Sequence, residues 1–319
     1  MLAFFGLLIG GVVQLFIAVN RLRKRRDLLT IGAIAVVLAA AGAYMASLIA
    51  ADRRDQNRRA WQTRLEIVAE SRAGAVSDWL ERQYDVVESL SDNVSLRLYL
   101  TELAADKGAV QSTPQAAYLR NLLIATAEQN GFRPANGVSA VPANMPSSRL
   151  GGLALIDRNG RIVATTPGMP DIEGPLKRFV NGSPPARRAM LDMYLDAAKH
   201  PAMAFLAPIF AVQGDRDADG QVGIVLGVKE VDREIQPLLV QPGLMERSAE
   251  TYLVRENGNL IEYLSATRDG GRPLERSVST DERSRADVMA AMEPGRAEVG
   301  YSRAGERVLA ASRAVPSTP

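Results

Sequence analysis

Residues 154–166 read ALIDRNGRIVATT, and residues 251–264 read TYLVRENGNLIEYL. Each is an apolar run, an Asn-Gly pair among polar residues, and a second apolar run, which predicts strand, tight turn and strand. Type I′ turns need positive φ at both central positions, and Asn and Gly adopt it at low cost. Asn159-Gly160 and Asn257-Gly258 are therefore expected at the centres of two equivalent hairpins. Two similar hairpins about a hundred residues apart predict two antiparallel-sheet modules in series.

Around the first hairpin the pattern continues in kind. A short helix is expected near 174–179. A second hairpin joins 190–195 with 203–212 across a turn at 196–201, and a third pairs 204–212 with 222–228 across 213–220. The expected result is an antiparallel meander. A helix at 232–240 and a Gln-Pro-Gly turn at 241–243 lead into the second hairpin, followed by a helix at 283–292 and strands at 297–302 and 307–313. The end at VPSTP, with no terminal strand, suggests that the second module is incomplete and the chain stops inside a larger protein.

Upstream of the sheets the sequence is helical. Residues 28–50 (LLTIGAIAVVLAAAGAYMASLIA) are 23 residues without a charge, enough at 1.5 Å rise per residue to cross a hydrocarbon layer of about 30 Å. RLRKRRD at 21–27 precedes them with five basic residues, so the positive-inside bias puts that flank in the cytoplasm and residues 51–319 outside it. A cleaved signal peptide would have a shorter apolar core. Residues 2–19 form a second uncharged run, readable either as a first span or as an extension from a mis-called start codon. Beyond the membrane, Trp61, Leu65, Val68, Ala75, Val76, Trp79, Leu80, Tyr84, Val87, Leu90 and Val94 recur at steps of mostly three and four, predicting one long amphipathic helix. Further helices are expected at 94–105 and 114–130. The latter has Thr113 as N-cap, Pro114 at its first position and Gly131 at its C-cap, before a Pro- and Gly-rich loop at 131–149.

Composition removes several classes of activity. The chain has no cysteine and one histidine, His200, so thiolate metal sites, a Cys nucleophile and sites needing two imidazoles are excluded. No G-x-S-x-G elbow and no G-x-x-x-x-G-K-[ST] loop occurs, and an enzyme within these residues is not expected. The net charge is +2; residues 1–50 carry five bases and one acid, leaving −2 on the other 269, a poor balance for nucleic acid. Asp215, Asp217, Asp219 and Gly220 make D-x-D-x-D-G, the opening of a calcium loop. The twelfth position, where an EF-hand places its bidentate Glu, is Leu226, so a solvated acidic turn is expected and no metal.

Taken together, the membrane span, the long helix RAGAVSDWLERQYDVVESLS (72–91), ALIDRNGRIVATT, FLAPIFAV (205–212), GQVGIVLGVKEVD (220–232), TYLVRENGNLIEYL and RVLAASRAVPSTP (307–319) resemble the double Cache extracellular sensor domain of bacterial transmembrane receptors. The resemblance covers residues 52–319. It implies an α+β chain with a transmembrane region (1–50), a long helix and helical part (51–130), a membrane-distal PAS-like module (131–240) and a membrane-proximal one (241–319). The implied protein sits in a bacterial inner membrane with residues 51–319 in the periplasm. It binds a small molecule in the distal module and signals through the long helix to a kinase, diguanylate cyclase or chemoreceptor domain outside these residues. A homodimer is the expected assembly, with no cofactor.

Arg187 and Arg188 could hold an anionic ligand by paired hydrogen bonds, with Asp192, Tyr194 and His200 nearby. The amino-acid-binding branch of the family carries an Arg-x-Trp-Tyr-like cluster on this segment. No tryptophan follows Trp79 here, so the likeness does not extend to that ligand class. The competing reading is a membrane-anchored structural or protein-interaction domain without a small ligand. A pocket with converging polar groups in the distal module favours sensing, and a filled core favours interaction.

Overall fold

The computed structural model describes residues 25–105, 113–133, 151–183, 186–213, 216–217, 219–240, 249–316 and 318. The expected span at 2–19, most of the loop at 131–149 and Asp215 lie outside the described residues. The chain divides into two compact units, Met1–Thr63 and Arg64–Pro319.

The first unit contains the start of helix α1 (Arg25–Ser91), 67 residues without a break. Ile34, Val36, Val37, Leu38, Tyr44 and Ile49 on it are exposed, and the segment is long and apolar enough to cross a membrane by length and composition.

In the second unit the same helix acquires an inside and an outside. Val68, Val76, Trp79, Leu80, Tyr84, Val87 and Leu90 are buried, at the spacing the sequence predicts for a packed face. Gly74 does not interrupt it. The helix stops at Ser91, and Asn93 opens α2 (Val94–Ala105) by accepting a hydrogen bond from the Leu96 amide at 3.0 Å. Helix α3 (Pro114–Asn130) is capped as expected: Thr113 accepts from the Ala116 amide, and Gly131 takes φ +73°.

Next comes a five-stranded antiparallel sheet of β1 (Gly152–Asp157), β2 (Ile162–Thr165), β3 (Ala189–Leu195), β4 (Pro201–Phe210) and β5 (Gln221–Glu230), with α4 (Gly174–Gly182) after β2. Its order is β2-β1-β5-β4-β3. The expected meander is correct for β3-β4-β5 but incomplete as a description of the sheet, because β1 pairs with β5, Ala154 opposite Leu226. β5 is thus central and nearly continuously apolar, as a strand covered on both faces must be. One face packs Leu153, Leu155, Phe205, Ala207 and Val225 against α1, α2 and α3. The other packs Ala154, Ile156, Ala204, Leu206 and Leu226 against Leu176 and Phe179 of α4. Gly227 lets the α1–α3 layer approach closely, since a Cβ there would stand 2.6 Å from Phe132 Cε1.

Helix α5 (Asp232–Leu239) leads to the second module. This is two small sheets, not one: β6 (Val254–Asn257), β7 (Leu260–Tyr263) and β8 (Ser277–Ser279) form the first, β9 (Ala297–Tyr301) and β10 (Arg307–Ala311) the second, with α6 (Ala286–Met292) between. β8 was not expected, being three residues with no apolar alternation beyond Val278. The helix begins at Ala286 instead of 283, because Arg285 is extended (φ −79°, ψ 136°) and bridges Tyr301.

Both hairpin turns differ from the expected type I′, since neither Asn159 nor Asn257 has positive φ. At the first, the Gly160 amide donates to Asp157 O and Gly160 takes φ +77°, a three-residue loop ending in a left-handed glycine. The buried Asp157 carboxylate accepts from the Asn159 and Arg161 amides at 2.9 and 2.8 Å, holding the loop in that form. At the second, Asn257 pairs with Leu260, so the central residues are Gly258 and Asn259, and glycine at the first of them (φ +63°) is the type II′ pattern.

Candidate functional site

A cavity of about 1250 Å³ lies between the first sheet and the second module. One wall is a face of α1, built from Leu65, Val68, Ala69, Arg72, Ala73, Val76 and Leu80. Steps of three, one and four place these side chains on one side of a helix. Asp192, Met193 and Met203 of the first sheet close a second wall, and Tyr252, Arg255, Tyr263, Asp287 and Tyr301 of the second module form the third. The cavity therefore lies beside the five-stranded sheet rather than inside the module built on it.

Arg255 on β6 ties two of these walls together. Its Nη1 donates to Asp192 Oδ2 and to Met193 O, each at 2.9 Å, and its Nε donates to Glu262 at 2.8 Å. The bulge in β3 between Leu191 and Tyr194 brings Asp192 to the cavity beside Met193. Burial alone would push Glu262 up, but hydrogen bonds from Asn257 and Arg255, with the Arg255 charge, hold it below the ordinary carboxylate value.

Tyr252, Tyr263, Arg285 and Asp287 make a polar cluster in the second module, Tyr263 and Asp287 buried and the other two half-buried. Tyr263 donates to Asp287, Arg285 reaches the same carboxylate at 2.5 Å, and the rings of Tyr252 and Tyr263 stand 5.4 Å apart. Burial followed by the Asp287 charge pushes the Tyr252 hydroxyl far up. Asp287 itself is held low: desolvation opposes ionisation, but Arg285 and Tyr263 overcome it through hydrogen bonds. At neutral pH the cluster is an ion pair capped by neutral phenols.

Arg72 differs from these matched groups. It is the one charged side chain on the cavity face of α1; its Nη1 donates to Leu238 O at the end of α5 (3.1 Å), and its buried Nε finds no acceptor.

The residues singled out from sequence do not converge. Arg187 is exposed. Arg188 lies over the Tyr84 ring at 4.4 Å and pairs with Glu81 and Glu88 of α1. Asp192 lines the cavity, whereas Tyr194 packs into the cluster under α4, its hydroxyl pushed up to about 12 by burial and then by Asp196. His200 sits in the turn after β3, its amide donating to Asp196 at 2.8 Å. Arg187, Arg188 and His200 lie outside β3, and on a regular strand Asp192 and Tyr194 would share a face; the bulge between Leu191 and Tyr194 separates them. Asp217 accepts from the Asp219 and Gly220 amides, and among the described residues no group of three or more His, Asp or Glu forms a metal cluster. Arg72, Tyr252, Arg255, Tyr263 and Asp287 were not singled out. Only Arg72 carried a signal, an arginine four residues after Val68 and four before Val76 on an apolar stripe.

No family model and no curated protein matches the chain. Among solved structures it is similar to the sensor domain of E. coli DcuS, at 15% identity over 51% of this chain and 96% of that one, TM-score 0.32. It is also similar to an extracellular ligand binding receptor from Desulfohalobium retbaense (11% identity, 80% of this chain, 38% of that one, TM-score 0.44). A third is the ligand-binding domain of the Campylobacter jejuni chemoreceptor Tlp3, solved with 4-methylisoleucine (10%, 64% and 85%, TM-score 0.35). Likenesses this low carry no argument about what this chain binds.

Proposed function

We propose that residues 51–319 are the extracytoplasmic sensing region of a membrane-anchored receptor, the first sheet module lying farther from the membrane than the second. The proposal rests chiefly on the cavity: one of its walls is the helix that runs on, without a break, into the apolar segment. A small molecule that fits one arrangement of that wall better than another biases the helix by its differential affinity, typically about 1–3 kcal/mol. Residues 28–50 anchor the chain in a bacterial inner membrane, and the output domain lies outside this sequence.

The test is a thermal-shift screen of the full chain in lipid nanodiscs against small metabolites, repeated on Ala69→Trp, which places an indole in the cavity. Compounds that raise the melting temperature of the native chain but not of the variant are the expected result. A screen without such a compound, alongside specific capture of a protein partner, would put the interaction-domain reading in its place.

A further inference from the structure

We infer that the cavity takes a small monocarboxylate with an apolar body, and that Arg72 on the long helix is the residue that receives its carboxylate. This rests on the sensor reading above and gives it a ligand class.

The face of α1 that lines the cavity is apolar except at Arg72: Leu65, Val68 and Ala69 precede it, Ala73, Val76 and Leu80 follow. A lone arginine on such a face is costly to desolvate unless its donors are used. One donor is used, Nη1 to Leu238 O, which caps an open carbonyl at the end of α5. That bond accounts for the position of the side chain but not for the remainder of its fork. Nε is buried with no protein acceptor, and no carboxylate among the described residues pairs with this guanidinium. Of the other arginines that line the cavity, Arg255, Arg303 and Arg313 face Asp192, Asp269 and Glu70 respectively, and Arg268 donates to Ala249 O. A guanidinium offers parallel N–H donors at the spacing of a carboxylate's two oxygens, so the group that completes Arg72 is a carboxylate.

The remainder of the lining sets the other end of the ligand. Leu65, Val68, Leu253 and Val308 offer apolar surface, which selects a hydrocarbon or aromatic body. Asp192 and Asp287 lie on the opposite walls, each already holding an arginine. Apart from Arg72 the lining holds six carboxylates against four arginines, so a second negative charge on the ligand meets a net negative wall and dicarboxylates are disfavoured. Neither Arg187 nor Arg188 takes part.

The experiment is calorimetry on the full chain in nanodiscs with hexanoate, benzoate and phenylacetate, each beside its neutral amide, and with adipate. At least one monocarboxylate should bind saturably, its amide and adipate about ten- to hundredfold more weakly. Arg72→Gln should weaken it by a similar factor and Arg72→Lys by less. Ala69→Trp should abolish it, and this variant with the acid–amide comparison decides the matter if Arg72→Gln does not fold. An amide that binds as tightly as its acid, affinity unchanged in Arg72→Gln, or no saturable binding up to about 10 mM overturns the inference. In those cases a neutral or cationic compound whose binding is blocked by Ala69→Trp would leave the sensor reading standing. No cavity-dependent ligand of any charge would remove both.

Discussion

The guanidinium of Arg255, on the first strand of the second module, donates at 2.9 Å to the carboxylate of Asp192, 63 residues earlier on the edge strand of the first sheet. It is a polar tie between modules that also meet through Leu253, Leu264 and Leu274 packed on the main core, and its neighbour Glu262 prevents Arg255 from swinging away. Arg255→Ala should lower stability by about 2 kcal/mol and Asp192→Asn by about 1 kcal/mol, because both side chains are more than two-thirds buried. A double-mutant cycle in urea should show coupling of at least about 0.5 kcal/mol. Additive losses would mean that the bond contributes nothing to holding the modules together.

Lys229 ties the sheet to the helices in the same manner but out of solvent. Its Nζ donates to Gln83 of α1 and to Asn130 O at the end of α3, and pairs with Glu234 of α5 at 3.0 Å; Glu234 also accepts from Trp79 Nε1. Lys229→Met should cost about 3 kcal/mol, at the lower end for a broken buried pair because Glu234 is 35% exposed and can hydrate. Glu234→Gln keeps an acceptor for Trp79 and should cost about 1 kcal/mol. Equal losses for the two variants in denaturant unfolding would contradict this assignment.

Gly227→Ala should destabilise the chain by about 1–3 kcal/mol, since its Cβ meets Phe132 at 2.6 Å and Val87 at 3.1 Å in a filled layer. Adding Phe132→Leu should recover part of the loss that Gly227→Ala causes in the native background. Full additivity of the two changes would show that the clash relaxes elsewhere.

Asp157, Glu262 and Asp287 are all held below their ordinary values. A depressed carboxylate adds stability that is complete above its unfolded value, about 4, and is lost as pH falls through the folded one. The melting temperature should therefore be insensitive to these groups from pH 7 to about 5 and should fall steeply below about 4. Asp287→Asn should be less stable at neutral pH but shallower in acid, by up to about 1.4 kcal/mol per pH unit for the one proton removed. An unchanged acid slope would mean that Asp287 is not held low.

Inserting two alanines after Arg59 turns the apolar stripe of α1 by about 200° relative to residues 28–50. Ligand affinity should be unchanged while ligand-dependent output of a receptor carrying this chain is lost or locked. Normal output from that insertion would make the helix a tether.

What the sequence determined by itself was everything set within a few residues. The apolar run at 28–50, the packed stripe from Val68 to Leu90, the Thr113 and Gly131 caps and the existence of both hairpins follow from local spacing and turn chemistry. Turn type escaped it even at this range. Asn159-Gly160 suits a type I′ turn in isolation, but the Asp157 carboxylate captures two amides and selects a three-residue loop. Long-range partners were decided by the tertiary structure alone. β5 lies beside β1 because apolar strands on both faces need cover, and no pattern in 152–157 names its neighbour. Arg255 finds Asp192, and Lys229 finds Gln83 and Glu234, across 63, 146 and five residues of chain. Strand period assigns a side chain to a face, whereas which charge waits across a cavity depends on how separate layers pack. Arg72 shows the division within one residue: its place on the apolar stripe is legible in the spacing, and its unmatched Nε emerges only once the layers around it have closed.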